Sequence, residues 1–165
     1  TNIYGALWSK LAINCVVTTL GATTGQLLGQ MLRQARVRRL ALSVISEVMD
    51  VAAALGVALE PVGGTLDLQR LYLPLSRRDG GFNPSAILKH AIIGLVGLKF
   101  RKLKSSMLQS LERGREPEIN FLNGYVVERG REKGVSTPVN AALTTMVQQI
   151  ARGERQIRPR NLEEL

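Results

Sequence analysis

"WSKLAINCVVTT" (residues 8–19) sets Lys10, Asn14 and Thr18 into an otherwise apolar run. In a helix each step of four residues advances only ~40° around the axis, so the three form one polar stripe. Leu7, Trp8, Leu11, Ile13, Val16 and Val17 cover nearly all the remaining surface, the pattern of a helix enclosed by protein. An ammonium in such a setting must be paired, hydrated or neutralised, because burying it alone is costly. The stripe is therefore expected to face an ion-pair partner or a wet cavity.

Outward from this run the chain reads as helical almost throughout. The first helix covers roughly 2–18, and "GATTGQLLGQ" (21–30) is expected to break or bend it. "RQARVRRLALSVISEVMDVAAALG" (33–56) keeps helical spacing through Leu40, Val44, Val48, Val51 and Leu55, which predicts a second helix over 34–55 closed by Gly56. Residues 57–83 lose the period. Asn83-Pro84 predicts the cap and first residue of a long helix to about 112. Pro117 opens another, ending near Gly134, and Thr137-Pro138 opens a last one ending near Gly153. No alternating β-branched run of strand length stands out. The reading is an all-α domain over 1–153 followed by a charged, frayed tail over 154–165.

Composition narrows the function classes. The 165 residues suit one domain with a true core. A single cysteine, Cys15, excludes an internal disulfide and reads as a core residue, and with a lone His90 it leaves no metal-ligand cluster. Residues 11–32 carry no charge, but Asn14, four threonines, Gln26 and Gln30 make them too polar for a membrane span. Gly21, Gly25 and Gly29 instead suit close helix contact or a loop. The net charge of +9 comes from scattered basic residues, and aromatics at only 4% are too few to stack on bases, which disfavours nucleic acid. No Gly-x-Gly-x-x-Gly follows a strand and no phosphate-binding glycine loop is present, so a nucleotide cofactor would bind mainly elsewhere.

A second polar cluster lies in "SSMLQSLERGREPEINFLNG" (105–124), where Glu118 falls in the first turn of a helix. The helix dipole favours a carboxylate there, making Glu118 a suitable partner for Lys10. Taken in order, Trp8, Lys10, Leu11 and Asn14, then Ser105, Ser106, Met107 and Gln109, then Gly114, Arg115, Glu118, Ile119, Asn123, Gly124, Thr137, Pro138 and Asn140 resemble the C-terminal domain of the ketopantoate reductase (2-dehydropantoate 2-reductase) family.

That resemblance implies a helical fold like the C-terminal domain of 6-phosphogluconate dehydrogenase. It also implies an N-terminal Rossmann domain of the same protein that holds NADPH, with the active site in the cleft between the two. Lys10 would be the catalytic lysine that donates to the ketone of a small 2-oxo acid, and Glu118 would assist it. Asn14, Thr18 and Ser106 would bind substrate, Ser106 at the carboxylate, and Arg115 would anchor the turn or face the cofactor. No metal is implied; a homodimer and a cytoplasmic, pantothenate-producing setting are expected. The isolated fragment is expected to be inactive. The sequence departs from the family at Thr18 and Leu28, where asparagines are usual, and at Ser110, where an acid is common. A related 2-oxo acid is therefore the alternative substrate, and a non-catalytic helical interaction module the alternative role.

Overall fold

The opening apolar run forms a 22-residue helix, α1 (Ile3–Thr24). A computed structural model describes residues 2–61, 67–74 and 84–165, and all regular structure among them is helical. Asn2 starts α1 by accepting from the Gly5 amide at 3.1 Å, while its own amide donates to the Ala58 carbonyl at 2.9 Å. The break falls within the expected 21–30 stretch, but the helix runs on past residue 18 to Thr24. Thr23 and Thr24 return their hydroxyls to the Thr19 and Leu20 carbonyls, and the helix continues through Gly21 to a left-handed cap at Gly25, φ 73°.

The short α2 (Leu28–Leu32) is closed by Arg38, which donates to the Leu32 and Arg33 carbonyls. The second long helix forms where its spacing predicts, as α3 (Ala35–Ala54), with Gly56 at φ 73°. Residues 57–83 contribute a 3-10 turn at Leu68–Leu71. Pro84 opens α4 (Pro84–Lys99); its expected cap, Asn83, lies outside the described residues.

One continuous helix to 112 is not found. α4 stops at Lys99, and α5 (Ser106–Glu112) starts afresh after Ser105 caps it, accepting from the Leu108 amide at 3.0 Å. The link between them is drawn onto α2 by a bond from the Leu28 amide to the Leu103 carbonyl. The helix expected from Pro117 is likewise divided, into a 3-10 turn (Glu118–Phe121) and α6 (Asn123–Lys133), ended by Gly134 at φ 68°.

The last helix, α7 (Pro138–Ala151), has Pro138 at its start as expected, but the Thr137 side chain does not cap it. The tail is not frayed. A 3-10 turn at Pro159–Glu164 buries Asn161 and Leu162, and the Asn161 amide donates to the Thr23 carbonyl at 2.9 Å. Arg155 adds a bidentate pair with Glu164 at 2.8 and 2.9 Å.

α1 is the axis of the assembly, packing against α2, α3, α5, α7 and the C-terminal turn. Ala12, Cys15, Val16 and Leu20 meet Val44, Val48 and Val51 of α3 and Leu143 of α7 in the main core. α1 is long and apolar enough to cross a membrane, yet here its inward face is the centre of that core.

Candidate active site

Over its first half α1 is covered on one side only. Trp8 and Cys15 are buried, and the Trp8 ring lies 5.9 Å from that of Tyr125 on α6. Ile3, Tyr4, Leu7 and Lys10 are exposed. The enclosed helix expected from the apolar neighbours is thus corrected: the stripe opens to solvent at its Lys10 end. Lys10 forms no hydrogen bond or ion pair among the described residues, with Glu118 or any other carboxylate.

Exposure falls along the stripe. Lys10 is exposed, Asn14 half-buried and Thr18 only 9% exposed, over roughly 12 Å of helix. The Asn14 side-chain amide makes no hydrogen bond among the described residues. Thr18 donates its hydroxyl to the Asn14 carbonyl at 2.7 Å, so it offers lone pairs rather than a free donor.

What closes the Thr18 end is α5. The buried Ser105 hydroxyl donates to the Thr18 carbonyl at 2.6 Å. A Cβ on Gly21 would lie 2.4 Å from the Ser105 Cβ, so only glycine lets α5 approach α1 this closely. Ser106, the next residue, is exposed. Met107 then packs with Ala22, Ile119 and Val147 in a small apolar cluster. Exposed Glu118 immediately precedes Ile119. Ser106 and Glu118 each precede in sequence a residue of one cluster that packs on Ala22, one turn beyond Thr18. Gly21→Ala is expected to push α5 off α1, lowering stability by about 1–3 kcal/mol. Urea unfolding would measure this; an unchanged midpoint would contradict the contact.

Arg115 lies beyond this cluster, farther from Lys10. It follows the left-handed turn at Gly114 (φ 66°) and lines a pocket of about 430 Å³ with Leu111, Glu116, Arg152, Arg155 and Ile157. Ile157 also borders Gly25 at the far end of α1, roughly 22 Å along the axis from Lys10. Arg152 pairs with Glu154 and Arg155 with Glu164, while Arg115 forms no ion pair among the described residues.

Beneath the stripe runs a buried polar chain. Thr19 donates to Asn123 Oδ1 at 2.6 Å; the Asn123 amide donates to the Cys15 carbonyl at 3.3 Å and to Asn140 Oδ1 at 2.9 Å. The Asn140 amide donates to Glu47 Oε2 at 2.7 Å. The Glu47 carboxylate also accepts from the Val139 and Asn140 backbone amides at 3.0 and 2.9 Å, capping α7 in place of Thr137. α1, α3, α6 and α7 are joined at the level of Asn14 and Thr18. Sequence reading overlooked Glu47, although the signal is present: it is an acid on the same face as Val44, Val48 and Val51.

Cys15 is a core residue, its thiol pKa raised by burial. No group of three or more His, Cys, Asp or Glu gathers among the described residues to hold a metal.

Fold and site together define an all-α domain whose central helix presents an unpaired lysine and an open polar stripe. The family described as "Ketopantoate reductase PanE/ApbA C terminal" matches residues 2–151, and the chain belongs to that family. The 2-dehydropantoate 2-reductase of Vibrio cholerae is 31% identical over 141 residues, covering 86% of this chain and 39% of the relative. Among solved structures, a ketopantoate reductase from Ralstonia eutropha aligns with a TM-score of 0.70 at 29% identity, over 94% of this chain and 43% of that one. A D-mandelate dehydrogenase with NADH and anilino(oxo)acetate shares the fold, with a TM-score of 0.70 at 18% identity over 93% of this chain and 71% of that one. The chain spans about two-fifths of the length of the reductases it matches.

Proposed function

We propose that this chain is the substrate-binding and proton-donating domain of an NADPH-dependent 2-oxo acid reductase, with 2-dehydropantoate reduced to pantoate. The observation that carries this reading is the stripe itself: an unpaired Lys10 at the open end, a free Asn14 amide in the middle, and Ser106 and Glu118 at the closed end.

The cofactor is assigned to an upstream domain, since the described residues include no strand and the sequence no glycine-rich strand–helix turn. The open stripe and the exposed Ile3, Tyr4 and Leu7 beside it leave a face against which such a domain fits. A hydride for the carbonyl carbon is the chemistry that bound NADPH supplies. This chain's own residues do the rest. The Lys10 ammonium lies against the carbonyl oxygen, where charge develops only in the transition state, and delivers the proton to it. Glu118, which forms no ion pair with Lys10 among the described residues, is assigned to the substrate's side of the site at the closed end. Asn14 holds the substrate's polar groups and the Ser106 hydroxyl donates to its carboxylate. Thr18, its donor engaged on Asn14, forms the floor rather than gripping a hydroxyl. That feature favours a second reading within the same reaction class, a related 2-oxo acid with fewer groups to recognise.

The test is NADPH oxidation by the natural full-length protein, followed at 340 nm with 2-dehydropantoate and a panel of other 2-oxo acids. The highest kcat/KM is expected for 2-dehydropantoate. No turnover with any 2-oxo acid would overturn the reading. The 165-residue chain alone is expected to be folded, inactive and without a tight, salt-resistant NADPH site.

A further inference from the structure

α1 carries four threonines, and three of them behave alike. Thr18, Thr23 and Thr24 each donate to the carbonyl one turn back, at 2.7, 3.1 and 2.7 Å. Thr19 does not. Its hydroxyl turns away from the Cys15 carbonyl and donates to Asn123 Oδ1 at 2.6 Å, while the Cys15 carbonyl takes the Asn123 amide at 3.3 Å. One side chain from the start of α6 thus grips a full turn of α1, from Cys15 to Thr19. Asn14 and Thr18 immediately precede these two residues, so the adjoining face of the gripped turn carries the polar stripe.

A charge at the other end sets the direction of these bonds. The Glu47 carboxylate, 1% exposed, accepts and does not donate. The Asn140 amide therefore donates to Glu47 and presents its Oδ1 to Asn123. Asn123 must donate in return, which leaves its own oxygen for Thr19. With two amide hydrogens and one oxygen engaged, the position calls for a carboxamide. An aspartate would set its oxygens against the Cys15 carbonyl and the Asn140 oxygen, two acceptors that need a donor.

Asn123 also stands one residue beyond the 3-10 turn that carries Glu118. The turn folds tightly onto the start of α6, since a Cβ on Gly124 would lie 3.3 Å from the Ile119 carbonyl. Ile119 itself packs on Ala22. The Glu118 turn is therefore fixed to α1 at two points, by Asn123 on Cys15 and Thr19 and by Ile119 on Ala22.

We infer that Asn123 is a positioning residue for the reaction proposed above, holding the Asn14–Thr18 turn of α1 and the Glu118 turn in a fixed relation. Thr19, Asn140 and Glu47 form the chain that orients it. The inference rests on the reading of the stripe as the substrate site. Asn123 is fully buried and acts through the backbone of α1, not by touching substrate. A shift of ~1 Å in a binding group is enough to cost up to about 100-fold in rate or affinity.

Steady-state kinetics of the full-length protein, run well below the Tm of every variant, separate positioning from bulk stability. Asn123→Ala is expected to raise the KM for 2-dehydropantoate on the order of tenfold to a hundredfold and to leave that for NADPH unchanged. Thr19→Val should show a smaller rise of the same kind, and Thr19→Ser, which keeps the hydroxyl, should recover most of it. Leu143→Ala, a cavity in the main core outside this chain of bonds, should lower Tm without moving either KM. An unchanged KM in Asn123→Ala, an equal rise in Leu143→Ala, or a Thr19→Ser variant no better than Thr19→Val would overturn the inference. A wild-type protein that reduces no 2-oxo acid would overturn the functional reading instead. The grip on α1 is then read by amide hydrogen exchange: Thr18 and Thr19 should exchange faster in Asn123→Ala than in Leu143→Ala, and equal rates would overturn it.

Discussion

Lys10→Ala, made in the full-length reductase proposed above, is expected to lower kcat by about 10²–10⁴-fold while KM changes little. The asymmetry follows from geometry. Lys10 is exposed at the open end of the stripe and has no partner among the described residues, so removing it disturbs no packing or ion pair. Its loss falls on the negative charge that develops on the substrate oxygen during reduction. Asn14→Ala and Ser106→Ala are expected to act mainly on KM, because these groups hold the ground state as firmly as the transition state. Steady-state kinetics with an unchanged kcat in Lys10→Ala would remove the lysine from the chemistry.

Glu47→Ala is expected to be the most destabilising of the substitutions considered. The carboxylate is 1% exposed and accepts from the Val139 and Asn140 backbone amides and the Asn140 side chain. Removing it leaves the Val139 and Asn140 backbone amides without their acceptor, takes one of the two acceptors of the Asn140 side chain, and opens the N-terminus of α7. Breaking a buried charged contact of this kind costs about 3–5 kcal/mol, a fall in Tm on the order of 10 °C for a chain of this size. Glu47→Gln should lose less, since the amide still offers one acceptor oxygen. Scanning calorimetry of the chain checks both. A loss in Glu47→Ala no larger than that in the half-exposed Glu112→Ala would mean that the polar chain holds nothing together.

The two predictions separate what was legible in the sequence from what was not. The stripe of Lys10, Asn14 and Thr18 follows from helical period alone, and α3 forms where its apolar spacing places it. Lys10 was expected to be enclosed because its neighbours are apolar. One of those neighbours, Leu7, instead faces outward, and periodicity cannot tell a core from an uncovered surface. Gly21 reads locally as a helix breaker. It is helical because α5 presses on it through Ser105, 84 positions away, a tertiary contact that overrides propensity.

The break between α4 and α5 carries neither proline nor glycine. Its signals are the basic run Lys99 to Lys104 and the cap at Ser105, and both are easily absorbed into one long helix. Thr137 was the natural cap for α7 by residue type, but Glu47, distant in sequence, reaches the same amides with a full charge. The tail reads as charged, yet Asn161 and Leu162 within it dock onto the end of α1. Arg115 shows a further limit. The resemblance groups it with the other site residues; the fold sets it in a pocket that shares Leu111 with the cluster beside Ser106 and Glu118, at the end of α1 opposite to Lys10.

The most direct test of the proposed site is a crystal structure of the full-length protein with NADP⁺ and a bound 2-oxo acid. Lys10 Nζ is expected within about 3 Å of the substrate's keto oxygen, with Ser106 Oγ at hydrogen-bond distance from the carboxylate. Asn14 should lie alongside, the nicotinamide facing the carbonyl carbon from the upstream domain. A substrate bound away from the Lys10–Thr18 stripe, or a keto oxygen contacted by neither Lys10 nor Asn14, would contradict the assignment of this chain as the proton-donating half of the enzyme.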